Sequence, residues 1–211
     1  MKDMMPEMSW PKKGDKAFIA SAEPRSLTNA NIEWVTLLSG DFISMAFKEA
    51  GDKVVNNIEA GNEMKHADMY FFPVCYLYRH SIELELKGII KLGIPLDILS
   101  DDDKHKKLLG SHSLCRLWTK SAVVLKECES EEPSEDFKAT ESLIHQFHQL
   151  DKNGQNFRYS RTKTGERTLK NAPKSVDLAN LRDTFDGLYN FLTASQDYMA
   201  ELLSNVGDYG N

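Results

Sequence analysis

The sequence predicts an all-α protein with five main helices. Apolar residues recur at intervals of three and four in five long segments, and Pro, Gly and capping residues separate these segments. The alternation typical of strands is confined to the short stretch 156–159. A chain of 211 residues that is 41% apolar has the size of one domain with one core.

An irregular N-terminal arm is predicted for residues 1–28. This segment sustains no apolar period, and it contains the helix-breaking residues Pro6, Pro11, Gly14 and Pro24. A single helical domain is then expected over residues 29–211.

Two long helices are predicted first, one running to about Ile58 and the other beginning around His66. The first begins at Asn29, a suitable N-cap, and is expected to kink near Gly51. Its apolar positions have helical spacing: Ile32, Val35, Leu38, Phe42, Met45, Val54, Val55 and Ile58. The second begins near His66 and ends at Gly93 and Pro95. Because it is apolar on nearly all sides, we expect it to be the central helix.

Three further helices follow a polar connector over residues 96–112. Ser113 is suited to cap the third helix, and Ser134 opens the fourth. Ser175 or Asp177 caps the fifth, whose apolar residues keep a helical period towards the C-terminus.

Basic residues are concentrated in one segment, residues 151–174, which we call the basic loop. They are Lys152, Arg158, Arg161, Lys163, Arg167, Lys170 and Lys174. The net charge of the chain is −6, which excludes a protein that coats nucleic acid with its whole surface. The basic loop is therefore the candidate surface for phosphate, although a solvated charged loop has the same composition.

The sequence also favours a cytoplasmic location. The longest apolar runs, such as residues 70–78, fall short of the roughly 20 residues that cross a bilayer, and the N-terminus does not resemble a secretory signal. Cys75, Cys115 and Cys128 are widely spaced, which favours reduced thiols over a disulfide framework or a zinc site. We predict no membrane association.

Charged residues interrupt the apolar central helix. Arg79, Glu83 and Lys87 are four residues apart and His80 precedes Glu83 by three, so all four can share one stripe of the helix surface. Burying one of them unpaired would cost several kcal/mol, so pairing is expected. Two interpretations stay open: a buried ion-pair network, or a polar pocket that binds a ligand.

Two further candidate sites lie outside this helix. His112 precedes the third helix and lacks the spacing to another ligand that a metal site requires, so no metal or cofactor is predicted. In the basic loop, Phe157 is expected to anchor in the core and to leave Arg158 and Tyr159 on one side. An arginine beside an aromatic ring suits a phosphate or a stacked base.

Four short segments, taken together in their order and spacing, resemble the HEPN-like helical proteins of bacteria. They are Y-L-Y-R-H-S-I-E-L-E-L-K at 76–87, H-S-L-C-R-L-W at 112–118, F-H-Q-L-D at 147–151 and F-R-Y-S at 157–160. The resemblance covers roughly residues 41–203. It implies an up-and-down helical bundle, often a homodimer, of the kind found in toxin–antitoxin, abortive-infection and other defence loci, with an antitoxin or defence protein as a partner.

Many proteins of this family are metal-independent ribonucleases with an R-x(4–6)-H motif, which this chain lacks. The resemblance therefore implies nucleotide or nucleic-acid binding before cleavage. The ligand-binding residues that we predict are Arg79, His80, Glu83, Lys87, His112, Arg158 and Tyr159.

Two alternative functions stay open. In a ribonuclease toxin, His80 or His112 would be the general base and Arg79 or Arg158 would stabilise the phosphorane. In a structural or oligomerising protein, the polar stripe would be only a buried ion-pair network. A homodimer is also expected. The chain has many apolar residues, among them Trp10, Trp34 and Trp118, and a narrow bundle with so many is expected to leave an apolar face that a second copy can cover.

Overall fold

The computed structural model describes residues 10–18, 30, 40–61, 64–128 and 134–208. These residues contain six helices: α1 (Gly40–Gly61), α2 (Met64–Leu92), α3 (Asp103–Leu109), α4 (Leu114–Cys128), α5 (Glu135–Leu150) and α6 (Leu178–Asp208). No strand occurs among them, and an isolated bridge pairs Arg161 with Arg167. The all-α prediction is confirmed. No helix in this part of the chain has the length and apolar character that crossing a bilayer requires.

The chain divides into two compact units, Met1–Leu37 and Leu38–Asn211. In the first unit the described segment 10–18 is irregular, with a turn in which the Lys12 amide donates to the Asp15 carboxylate at 2.6 Å. The predicted helix start at Asn29 lies outside the described residues, so the first helix is known only from Gly40.

The prediction that residues 96–112 form only a polar connector was wrong, because this segment contains the short helix α3. Asp102 caps this helix, and its Oδ1 accepts from the amides of Lys104 and His105 at 3.0 Å each. A helix of one or two turns is too short to show an apolar period. The signal that the sequence did offer for this helix was Asp102, an acidic residue suited to cap a helix, directly before it. The stretch 156–159 is also not a strand, since turns occupy most of it.

Helix α2 is the central helix, as predicted. It packs against α1, α4 and α6. Its fully buried apolar residues form the middle of the core: Val74, Tyr78, Ile82, Leu86, Ile89 and Ile90.

Gly51 lets α1 approach α2 closely. Helix α1 runs through this residue without interruption, and a Cβ at Gly51 would lie 2.5 Å from Cε1 of Tyr78. The Tyr78 ring stacks on Phe185 at 4.2 Å, and its hydroxyl donates to Asp52 Oδ1 at 2.8 Å. The glycine for which a kink was predicted therefore makes room for a buried ring.

Candidate functional site

The polar stripe of α2 is buried and paired. Arg79 Nη1 donates to Glu83 Oε2 at 2.9 Å, and both side chains are only 2% exposed. Lys87 Nζ donates to Glu83 Oε1 at 2.8 Å. The spacing of four residues thus places Glu83 between two cations on one face of the helix.

Asp151 is a member of this network that the sequence did not indicate. Its Oδ2 lies 3.1 Å from Arg79 Nε, and the two atoms are not aligned for a hydrogen bond, so the attraction is that of an ion pair. Its Oδ1 accepts from the amides of Gln155 and Asn156 at 2.8 and 3.1 Å. Asp151 therefore shapes the loop after α5 and attaches it to α2.

His112 joins the network through its backbone and its side chain. Its carbonyl accepts from Arg79 Nη2, and its Nδ1 lies 2.8 Å from Glu83 Oε1. An ionised carboxylate can only accept, so Nδ1 carries a proton; when the ring is neutral, Nε2 is then the acceptor. The His112 side chain is 65% exposed, which leaves Nε2 available to a ligand.

Glu83 is ionised at neutral pH. Burial by itself raises its pKa, but hydrogen bonds from Lys87, Arg79 and His112 outweigh burial and lower the pKa to about 2. The network is therefore held together by a carboxylate that keeps its charge at ordinary pH.

His80 is adjacent to Arg79 in sequence but lies in different surroundings. Its ring packs edge-on against Phe47 at 4.5 Å and stacks on Tyr76 at 6.0 Å. Burial lowers the pKa of His80 below its usual 6.5. Successive residues of a helix point about 100° apart, which separates His80 from the stripe.

Phe157 lies in the core, while Arg158 and Tyr159 lie on the surface, as expected. Phe157 is buried and packs edge-on against Phe71 at 6.5 Å. Arg158 Nε donates to the Gly154 carbonyl at 2.9 Å, and its guanidinium lies 5.8 Å from the centroid of the exposed Tyr159 ring. The loop thus presents a cation beside an aromatic ring.

Gly154 connects this surface to the buried network. Its φ of +73° is favourable for glycine, and a Cβ there would lie 3.3 Å from Arg79 Nη1. One side of the loop therefore covers the Arg79 guanidinium, while its Gly154 carbonyl holds Arg158. The predicted residues Arg79 and Arg158 are linked through Gly154.

A groove of about 810 Å³ lies between the first turns of α2 and the basic loop. We call it the basic groove. The rings of Phe71 and Phe72 form part of its wall, beside Asp68. The cations that line it are Arg161, Arg167, Lys170 and Lys174. Lys170 is partly neutralised by Glu166 at 3.0 Å, so the remaining cations dominate the field of the groove.

A tight turn positions two of these cations opposite each other. The Thr162 amide donates to the Glu166 carbonyl at 2.8 Å, and Arg161 pairs with Arg167 across the turn. Like charges directly opposite each other destabilise such a pair. The basic loop was evident in the sequence, but its groove depends on α2, which is distant in sequence.

The predicted site residues are thus divided among three places. Arg79, Glu83, Lys87 and His112 share the buried network, His80 lies between aromatic rings, and Arg158 with Tyr159 lies on the loop surface. The basic groove is lined by other residues. In the described part of the chain, no group of three or more His, Cys, Asp or Glu side chains is arranged to hold a metal ion.

Comparisons with protein-family models, with curated proteins and with solved structures found no match.

Proposed function

We propose that this protein is a cytoplasmic HEPN-like module that binds RNA through the basic groove. The observation that carries the proposal is the meeting of four cations, those of Arg161, Arg167, Lys170 and Lys174, with aromatic rings in one open groove. The whole chain carries a net charge of −6, so this concentration of positive charge is local. A local positive field is what a phosphate backbone requires.

The chemistry of the lining suits a polynucleotide. Arginine recognises phosphate with a planar array of donors, and lysine supplies a compact charge. Phe72 is only partly buried in the groove wall, where a base can stack on it. Arg161 and Arg167 face each other across a backbone bridge and both line the groove, where one anion can neutralise both.

The HEPN-like assignment is part of the same proposal. Residues of three segments that carry the resemblance meet in the buried network: Arg79, Glu83 and Lys87 from the first, His112 from the second and Asp151 from the third. Their contacts give a physical reason why these residue types occur together. A role in a defence locus, with an antitoxin or defence protein as partner, follows from that resemblance.

Fluorescence anisotropy with a labelled, unstructured RNA of about 12 nucleotides tests the proposal. We expect binding at about 50 mM salt that weakens as salt rises, because counterions are released. The double variant Arg167→Ala/Lys174→Ala should bind about tenfold or more weakly and should reduce the salt slope by about 1.4.

The matched control is Lys163→Ala, which removes an exposed cation of the same loop that does not line the groove. It should bind RNA nearly as the wild type does. Absence of RNA binding at low salt, or an equal loss in the control, would contradict the proposal.

Metal-independent ribonuclease activity is a second candidate function, favoured by the contact between His112 and Glu83. A buried carboxylate that orients an exposed imidazole is a suitable arrangement for a general base. Arg79, however, is held inside the network and is 2% exposed, so Arg158 is the better candidate to stabilise a phosphorane. We expect no cleavage of single-stranded RNA in EDTA; EDTA-resistant cleavage that is lost in His80→Ala or His112→Ala would make this function primary.

We also propose a homodimer. Phe42 and Met45 are exposed one turn apart on α1, and Met69 is exposed near the start of α2, so apolar surface is available for a second copy. Trp118, which was expected to contribute, is buried instead, and its indole donates to Glu141 at 2.9 Å. Trp34 lies outside the described residues. Sedimentation that finds only monomer at micromolar concentration would exclude this dimer.

A further inference from the structure

A second cavity, of about 370 Å³, adjoins the basic groove between α2, α5 and α6. Its walls are mainly apolar and include Cys75, Phe147, Leu181 and Phe185. We call it the apolar pocket. Its volume lies at the lower end of the roughly 300–1,000 Å³ that small-molecule sites occupy.

The two cavities share a wall. Phe71, Pro173, Ser175 and Val176 line both of them. A ligand that reaches from one cavity to the other therefore meets cations at one end and apolar side chains at the other. Such a ligand must combine an anionic group with an apolar one.

Polar side chains at the apolar pocket indicate which apolar group fits. Gln146 and Asn180 line it with amides that carry both donors and acceptors, and Thr184 adds a hydroxyl. An alkyl chain gains nothing from such groups, whereas the edge of a nucleobase can bond to them. The carboxylate of Asp177 is already engaged, since its Oδ1 accepts from the amides of Ala179 and Asn180.

We infer that the apolar pocket receives an unpaired nucleobase while the neighbouring phosphates occupy the basic groove, so that the RNA ligand is single-stranded. This inference rests on the proposed function and specifies its substrate class. In a duplex the base stays in the stack and cannot enter a lateral pocket without unpairing. A polyanion without bases occupies only the groove.

Binding of three probes to the wild-type protein tests the inference: a single-stranded RNA, a duplex of the same strand, and the same strand with its bases removed. The single strand should bind more tightly than the abasic strand by roughly 5- to 150-fold, the range that one base–aromatic contact contributes. The duplex should also bind more weakly than the single strand. These comparisons use the unaltered protein and do not depend on the folding of a variant.

Variants of the pocket supply the second measurement. Asn180→Ala and Thr184→Leu should lower affinity for the single strand and leave affinity for the abasic strand unchanged. The matched control is Asn190→Ala, an exposed asparagine of the same helix that lines neither cavity. It should change neither affinity.

The possible failures are distinguishable. If the single and abasic strands bind equally, and Arg167→Ala/Lys174→Ala weakens both, the groove binds phosphate but the base-binding inference is wrong. If a long-chain fatty acid anion binds in the pocket and displaces the RNA, the pocket is an alkyl site and the inference is again wrong. If no RNA binds at all, the proposed function fails, and this inference fails with it.

Discussion

The Arg79 guanidinium on α2 and the Asp151 carboxylate after α5 lie 3.1 Å apart, with both side chains almost completely buried. Arg79 also donates to Glu83 and to the His112 carbonyl. One guanidinium thus connects the central helix, the turn before α4 and the loop after α5. Removing it would leave two carboxylates without their shared cation.

Arg79→Ala should therefore destabilise the fold by about 3–5 kcal/mol, because it leaves the buried Asp151 carboxylate without its cation, although Glu83 keeps Lys87. The measurement is the free energy of unfolding in urea. The matched control is Arg158→Ala, whose side chain is exposed, and we expect a change within about 0.5 kcal/mol. Nearly equal stability of the Arg79→Ala variant and the wild type would show that the network contributes little.

Arg158→Ala is also expected to weaken RNA binding if the surface of Arg158 and Tyr159 extends the basic groove.

Gly154→Ala should destabilise the protein more than Gly165→Ala does. Both glycines have positive φ, +73° and +83°, so both variants bear a backbone cost of about 1–2 kcal/mol. At Gly154 the new Cβ also meets the Arg79 guanidinium at 3.3 Å, whereas no atom lies within 4 Å at Gly165. Urea denaturation of the two variants isolates this contact. Equal losses would mean that the loop moves away from Arg79 at no cost.

Stability should fall with acid through the titration of Glu83. Its pKa is about 2 in the folded protein and 4.5 in an unfolded reference, so the unfolded state takes up its proton first as pH falls. The contribution is complete above pH 4.5 and is lost between about pH 4.5 and 2; it is on the order of 3 kcal/mol.

Unfolding free energies of the wild type and Glu83→Gln between about pH 2 and 6 test this. The variant should show a smaller slope in that window, while Glu135→Gln, at an exposed position of α5, should follow the wild type. Identical slopes for all three proteins would exclude Glu83 as the titrating group.

Gly51→Ala should destabilise the packing of α1 against α2. The added Cβ would lie 2.5 Å from the Tyr78 ring, which is fully buried against Phe185, so we expect a loss of about 1–3 kcal/mol from overpacking. Gly187→Ala is the matched control, since no atom lies within 4 Å of its new Cβ in α6. There alanine should stabilise the helix by about 0.5–1 kcal/mol. Thermal denaturation should shift in opposite directions for the two variants.

The helices and their starting points were largely predictable because the interactions that define them are local. Ser134 accepts from the Phe137 amide at 3.1 Å, and Asp177 caps α6, which decides between the two caps that the sequence offered. The pairing of Glu83 with its neighbours four residues away is equally local. Helix α3 was missed because its 7 residues are too few to display a period.

The sequence by itself determined the all-α fold, the central position of α2 and the need for each buried charge on that helix to find a partner, since an unpaired buried charge costs several kcal/mol. Which partners they find was decided only by tertiary structure. Asp151 reaches Arg79, and the basic loop faces the first turns of α2, because packing brings together segments that no local pattern relates. A charge on a buried helix face needs a partner wherever it lies, because desolvation is costly, but which residue becomes that partner depends on how the distant segments pack.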